Sequence, residues 1–407
     1  MVISKIREQF VWFKNHKDLI YFDSNATSLK PKSVIKAMQD YYENDTYNPH
    51  NDTSIYTSHV GKKIDLIRQA TANLLSCNND EIIFTPGGTY ALNQIAFGLK
   101  ASIKKNDEIL LPQYEHASNF LPWLQVAKLT GAKLVVVKQT AEMDIVEPIL
   151  KAITNRTKVV SFASCSNLFG TAIDPIKLAM WIKNKNQNCL VAVDATQSVQ
   201  HHQISLKKGY VDFLVFSAHK VFGPTGLGIL YVKKTLQQLL TPLIYGGGGY
   251  LDYDPLKKSV LLKENHEAFE AGTPNVAAIF GWGAALDFLN EISYEKISSL
   301  EKTLKKYLLT SLKQVDGISL LDVDPVSPTV VFNYRNYSPQ DIAYYLSTKK
   351  IIVRAGVSCV HLAKKMATPA QGFVRVSLMF YNTKNEIDRL IEALKEFKVG
   401  DSLVGLI

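Results

Sequence analysis

Runs of apolar residues at 81–84, 108–112, 133–137, 159–163, 190–193 and 211–216 each stop at polar or glycine-bearing residues, as buried strands do. Between them apolar positions recur every three or four residues, as with Leu92, Ile95 and Leu99 after the first run and Trp123 and Val126 after the second. Strand alternating with helix predicts an α/β unit with a large, mainly parallel sheet. Ahead of it, Ile3, Ile6, Phe10 and Phe13 share a helical face, which predicts a short amphipathic arm. Pro31 opens a helix through Val34, Met38 and Tyr42, residues 47–58 read as a polar loop, and Gly246 to Gly249 read as a flexible turn.

After a long helical pattern from Tyr294 to Leu312 the rhythm changes. Short strand-like runs at 318–321, 329–333, 351–354 and 373–378 alternate with a helix opened by Ser338 and Pro339. A last helix carries Thr383 and Glu386 as a capping box. This predicts a small α+β domain. The expected division is an arm over 1–20 that packs with the small domain, a large domain over 21–290, and a small carboxyl-terminal domain over 291–407.

With 407 residues and 46% hydrophobic content, the chain is long enough for two cores. Its net charge of +9 comes from scattered lysines with no basic block, which argues against nucleic acid as a partner. No apolar run reaches the length of a membrane span, and Lys5, Arg7 and Glu8 interrupt the amino terminus, so neither membrane insertion nor export is expected. The four cysteines form no C-x-x-C pair, so no metal site or disulfide framework is expected, and a cytoplasmic setting fits.

The chemistry gathers where strands end. The run at 211–216 leads into Ser217, Ala218, His219 and Lys220, then into Gly223 and Gly226. A lysine past the carboxyl end of a buried strand loses water, falls in pKa and becomes a nucleophile toward carbonyl carbon. Asp194 stands at the end of the preceding strand and His116 past another, while the Gly87-Gly88-Thr89 turn at a helix start offers a phosphate cradle. A lysine, a carboxylate, a phosphate cradle and a histidine together suit pyridoxal 5'-phosphate. Lys220 would hold its aldehyde carbon, Asp194 would keep its ring nitrogen protonated and His116 would cover its ring. Arg375 offers paired N–H donors to an amino-acid carboxylate. Cys359 follows Arg354-Ala355-Gly356 on a polar loop, whereas Cys77, Cys165 and Cys189 read as packing residues, and His50 and His59 as surface histidines.

These segments resemble the class V aminotransferase family of fold-type I pyridoxal phosphate enzymes, and within it the cysteine desulfurases of the SufS type. The resemblance rests on Tyr21-Phe22-Asp23-Ser24-Asn25-Ala26, Glu115-His116, Ser166-Asn167, Asp194-Ala195-Thr196-Gln197 and Phe216-Ser217-Ala218-His219-Lys220. It extends through Phe269-Glu270-Ala271-Gly272-Thr273-Pro274-Asn275 and Arg375-Val376-Ser377-Leu378 to Tyr381-Asn382-Thr383, nearly the whole chain.

By that resemblance Gly88, Thr89, Ser217 and His219 hold the phosphate, and Thr273 reaches the phosphate of a second subunit, which implies a homodimer. Asn167 and Gln197 neighbour the cofactor's phenolic oxygen. Arg375 binds the carboxylate of L-cysteine, with Asn25, Ala26 and Arg354 as further substrate contacts. Cys359 takes the sulfur as a persulfide, with alanine as co-product, for transfer to a SufU- or SufE-like acceptor in iron–sulfur cluster assembly. Val357 and Ser358 stand where such relatives place two histidines before the cysteine, and Gln340 where those using a zinc-bearing acceptor carry a histidine. A selenocysteine lyase, another class V reaction or a scaffold without turnover are the alternative readings.

Overall fold

The fold is that of a computed structural model, described over residues 3–51, 53–140, 143–321, 327–366 and 372–398. Its centre is a seven-stranded sheet in the order Ile82–Thr85, Gly228–Val232, Phe213–Ser217, Leu190–Asp194, Thr157–Ala163, Glu108–Pro112 and Lys133–Val137. Only Gly228–Val232 runs against the rest. The six expected strands are present within two residues of their predicted bounds. The seventh, an apolar run of five residues behind the Gly223–Gly226 turn, was not anticipated, because nothing in a short apolar run says that it doubles back into the same sheet.

Alternate residues of these strands enter two separate cores. Leu110, Val160, Phe162, Val191, Val193, Leu214 and Phe216 pack on one face. Ile109, Leu111, Val159, Leu190, Ala192, Phe213 and Val215 pack on the other. A sheet covered on both faces reads as continuous apolar runs rather than alternation. The register sets Ala163 beside Asp194 and Asp194 beside Val215, so three parallel strands stop at nearly one level.

The carboxyl-terminal part forms a four-stranded antiparallel sheet, ordered Ile318–Leu320, Thr329–Tyr334, Phe373–Ser377 and Arg354–Gly356. Leu304, Leu308 and Leu312 of the Tyr294–Leu312 helix pack in its core with Val330, Phe332, Val374, Val376, Leu390 and Leu394. The capping box is formed: Glu386 N donates to Thr383 Oγ1 at 3.2 Å and Thr383 N to Glu386 Oε2 at 2.9 Å.

Chain order does not decide which core a segment joins. Ile20–Tyr21 pairs in parallel with Ile351–Ile352, Asp23 bridges to Ser377, and Ile20 and Phe22 are buried in the carboxyl-terminal core. The arm, with helices Ile3–Arg7 and Val11–Asn15, puts Phe10 against Phe288 and Tyr381, and Arg7 Nη1 lies 2.8 Å from Glu386 Oε1. Beyond the glycine turn at 246–249 the chain forms an antiparallel hairpin, Tyr250–Asp254 with Ser259–Leu262, that no periodicity had signalled. No helix among the described residues is long and apolar enough to cross a membrane.

One close approach ties the sheet to the turn beside the lysine. A Cβ on Gly228 would stand 2.4 Å from the carbonyl carbon of Gly87, whereas a Cβ on Gly87 meets nothing within 4 Å. Gly228→Ala should therefore cost about 1–3 kcal/mol of stability in denaturant unfolding, as overpacking against backbone does. Gly87→Ala should cost clearly less, and equal losses would contradict the reading.

Candidate active site

A cavity of about 410 Å³ opens at the carboxyl ends of the parallel strands. Lys220 ends the single 3-10 turn Ala218–Lys220, which directly follows the buried strand Phe213–Ser217. Loss of water pushes the Lys220 amine down to about 8, and the Asp194 carboxylate opposes that shift. The peptide oxygen before it is gripped from one side. His219 O accepts from Ser28 N at 3.1 Å, Thr27 Oγ1 at 3.0 Å and Lys30 Nζ at 2.7 Å, and burial lowers Lys30 to about 7.

The glycine turn lies beside this lysine. Gly88 N donates to Ser217 Oγ at 3.0 Å, and a Cβ on Gly88 would come within 2.7 Å of that oxygen and 3.4 Å of Thr196 Oγ1. Thr196 Oγ1 is buried with no hydrogen-bond partner among the described residues. An orphaned hydroxyl at the start of the Gly88–Gly98 helix, in a recess that a methyl group would crowd, fits a phosphate group. Thr89 Oγ1 shares a hydrogen bond of 2.8 Å with Ser118 Oγ, and His219 Nδ1 lies 3.2 Å from Thr27 Oγ1. Burial pushes His219 down to about 4, so its imidazole is neutral.

His116 caps the Ala117–Thr130 helix, its Nδ1 accepting from Ser118 N at 3.1 Å. That bond leaves Nε2 to carry the proton of a neutral ring, and burial lowers the pKa of His116. Behind it Glu115 is fully enclosed. Its carboxyl accepts from Ala163 N at 2.9 Å and Asn119 Nδ2 at 2.8 Å, and desolvation raises it to about 8.

Arg375, on the Phe373–Ser377 strand of the smaller sheet, enters the same cavity. Its Nη2 donates to Asp23 Oδ1 and its Nη1 to Asn167 O, each at 2.6 Å, while Nε is buried without a partner among the described residues. Burial lowers its pKa. Arg354 Nη1 lies 3.6 Å from the other Asp23 oxygen. Two guanidinium groups over one carboxylate leave a net positive end to the cavity, suited to an organic anion. Asn25 Nδ2 donates to Thr329 Oγ1 at 2.8 Å, and Gln197 Nε2 to Asn25 O at 3.0 Å.

Lys220, Asp194, Gln197, His116, Gly88, Thr89, Asn167, Ser217, His219, Arg375, Asn25, Ala26, Arg354 and Cys359 all line this one cavity. Thr273 does not; it lines a separate hollow of about 880 Å³ with His50, Arg68 and Glu270. Asp23, Ser118 and Thr196 were not anticipated as site residues, although Asp23 lies in the Tyr21–Ala26 segment and Thr196 in the Asp194–Gln197 segment that carry the family resemblance. Cys165, expected only to pack, is buried yet contributes to the cavity wall. Cys359 is exposed at the cavity edge, while burial pushes Cys77 and Cys189 each up to about 12.

A mainly parallel sheet with a desolvated lysine past a central strand, near a carboxylate and an orphaned hydroxyl at a helix start, is the fold-type I arrangement of α/β enzymes. Residues 20–390 match the family described as aminotransferase class-V, and the chain belongs to it. A protein named probable cysteine desulfurase from Ureaplasma parvum is 44% identical over 98% of this chain and 99% of its own length. The apo structure of cysteine desulfurase from Thermococcus onnurineus superposes with a TM-score of 0.91 at 30% identity, covering 97% of this chain and 98% of that one. The cysteine desulfurase CsdA from Escherichia coli gives 0.88 at 27% identity, covering 97% of each chain.

Because charging is what burial opposes, the neutral amine of Lys220 gains population as pH rises through about 8, well below the range of an exposed lysine. Trace acetylation of the apoprotein, read by mass spectrometry, should give a midpoint near there for Lys220. Asp194→Asn should move that midpoint lower, since the carboxylate holds the charged form in place. A midpoint that stayed near 10.5 would contradict this account of the pocket.

Proposed function

We propose that the protein is a pyridoxal phosphate-dependent cysteine desulfurase. It would take sulfur from L-cysteine onto Cys359 and release L-alanine. The observation that carries the proposal is the meeting, in one cavity, of a desolvated lysine, a buried arginine with an unused N–H and an exposed thiol.

When bound, pyridoxal phosphate supplies an electron sink conjugated to the substrate's α-carbon. The Gly88 turn, Thr89, Thr196, Ser217 and His219 would hold its phosphate, and Asp194 would keep its ring nitrogen protonated. Gln197 and Asn167 would neighbour its phenolic oxygen. Arg375, with Arg354, Asn25 and Ala26 beside it, fixes the substrate carboxylate. Lys220 Nζ removes the α-proton. The Cys359 thiolate then attacks the substrate sulfur: a sulfur–sulfur bond forms, the carbon–sulfur bond breaks, and its electron pair stays with the carbon fragment. Protons from His116 Nε2 and Lys220 Nζ complete that fragment as alanine. The persulfide on Cys359 passes to an acceptor protein of the SufU or SufE kind, a cytoplasmic sulfur supply for iron–sulfur clusters. Thr273, away from its own Lys220, is the residue that would complete the site of a second copy in a homodimer.

Reconstituted protein given L-cysteine and a reductant should yield alanine and sulfide in equal amounts. Lys220→Ala should lower turnover by about a hundredfold or more, the scale of a lost proton-transfer group. Cys359→Ala should keep the bound cofactor's visible absorbance but form no protein persulfide. Preference for selenocysteine over cysteine would decide for the lyase, and no alanine from either would decide for another class V reaction or a scaffold without turnover.

A further inference from the structure

The segment that carries Cys359 is held in a conformation that its own residues disfavour. Ser358 has φ 47° and Cys359 φ 65°, two successive non-glycine residues in the left-handed region. Such a turn persists only where its surroundings hold it. On one side Val360 is fully buried, in a cluster with Leu168 and Phe169, and its N–H closes on Val357 O at 2.8 Å. On the other, Ala117 N donates to Cys359 O at 3.0 Å, and Asn167 Nδ2 donates to Ser358 O at 2.6 Å. The Asn167 amide is the only side chain among the described residues that hydrogen-bonds the backbone of this turn. Its own peptide oxygen accepts from Arg375 Nη1 at 2.6 Å. One residue therefore joins the buried arginine to the turn of the thiol.

We propose that Asn167 is a positioning residue that tethers the Cys359 turn at the edge of the cavity, through the bond from its side-chain amide to Ser358 O. The inference rests on the reading of Cys359 as the sulfur-accepting thiol. Attack on a substrate sulfur needs the thiol held against the cavity, whereas delivery to an acceptor protein needs it to move outward. The Asn167 bond is the side-chain contact, beside the Ala117 N–H bond to Cys359 O, that favours the first of these states. Breaking it leaves two left-handed residues without their side-chain support, so the turn relaxes while the core behind Val360 stays packed.

Amide hydrogen exchange of the holoenzyme, followed by mass spectrometry, tests this directly. In Asn167→Ala and Asn167→Asp, the second keeping the shape but lacking the N–H, peptides covering 354–360 should exchange about fivefold faster or more than in the unsubstituted protein. That is the factor expected for one ordinary buried hydrogen bond. Peptides from the Lys384–Glu396 helix and the Leu190–Asp194 strand should be unchanged. Unaltered exchange at 354–360 in both variants, wild-type behaviour in the Asp variant, or a rise spread over all peptides would each overturn the tether. A Cys359→Ala protein that still forms protein persulfide would remove the acceptor reading and leave the exchange result standing, so the two failures can be told apart.

Discussion

Withdrawal of water from one amine governs this site. Lys220 sits past a strand whose residues are buried on both faces, and the adjacent parallel strand ends in Asp194, level with Val215, so that its carboxylate acts on the same amine. Burial makes the amine easier to deprotonate and the carboxylate limits how far that goes. Without the flanking cores the lysine would stay hydrated and charged. The packing of Phe213, Leu214, Val215 and Phe216 is therefore a condition of the chemistry as well as of the fold.

The second condition is that two hydrophobic cores close on one polar cavity. Arg375 does much of this joining, since from the small sheet its Nη1 donates to Asn167 O, past the large-sheet strand Thr157–Ala163, while its Nη2 donates to the Asp23 carboxylate. The anionic partner keeps a buried guanidinium charged and aimed. Four donors around the backbone at His219 act in the same sense on the other wall. Thr27, Ser28 and Lys30 reach it from a segment far away in sequence.

The neutral histidines show how environment assigns roles. His219 and His116 are both pushed down by burial, but the first is fixed against Thr27 and the second caps a helix with Nδ1, leaving Nε2 for the cavity. Glu115, buried behind His116 and raised to about 8, adds no fixed charge to repel an anionic substrate at neutral pH. The cavity thus concentrates positive charge at the arginine end and sets a neutral imidazole, that of His116, next to the residue whose N–H holds Cys359 O.

Much of this was legible in the residues themselves. Apolar runs ending in Asp194 and Lys220, the Gly87-Gly88-Thr89 turn and the Thr383–Glu386 cap are local patterns, and local patterns are what spacing and side-chain chemistry determine. What pairs across distance was not. The antiparallel entry of Gly228–Val232, the hairpin at 250–262, the capture of residues 20–23 by the carboxyl-terminal core and the grip of Asn167 on the Cys359 turn depend on which surfaces meet. So does the separation of Thr273 from the cavity. A lone stretch of chain carries no record of its distant contacts, because hydrogen bonds and burial between remote segments are decided only when the cores close. The sequence alone determined which groups could react; tertiary packing decided which of them share a cavity, and with what charge.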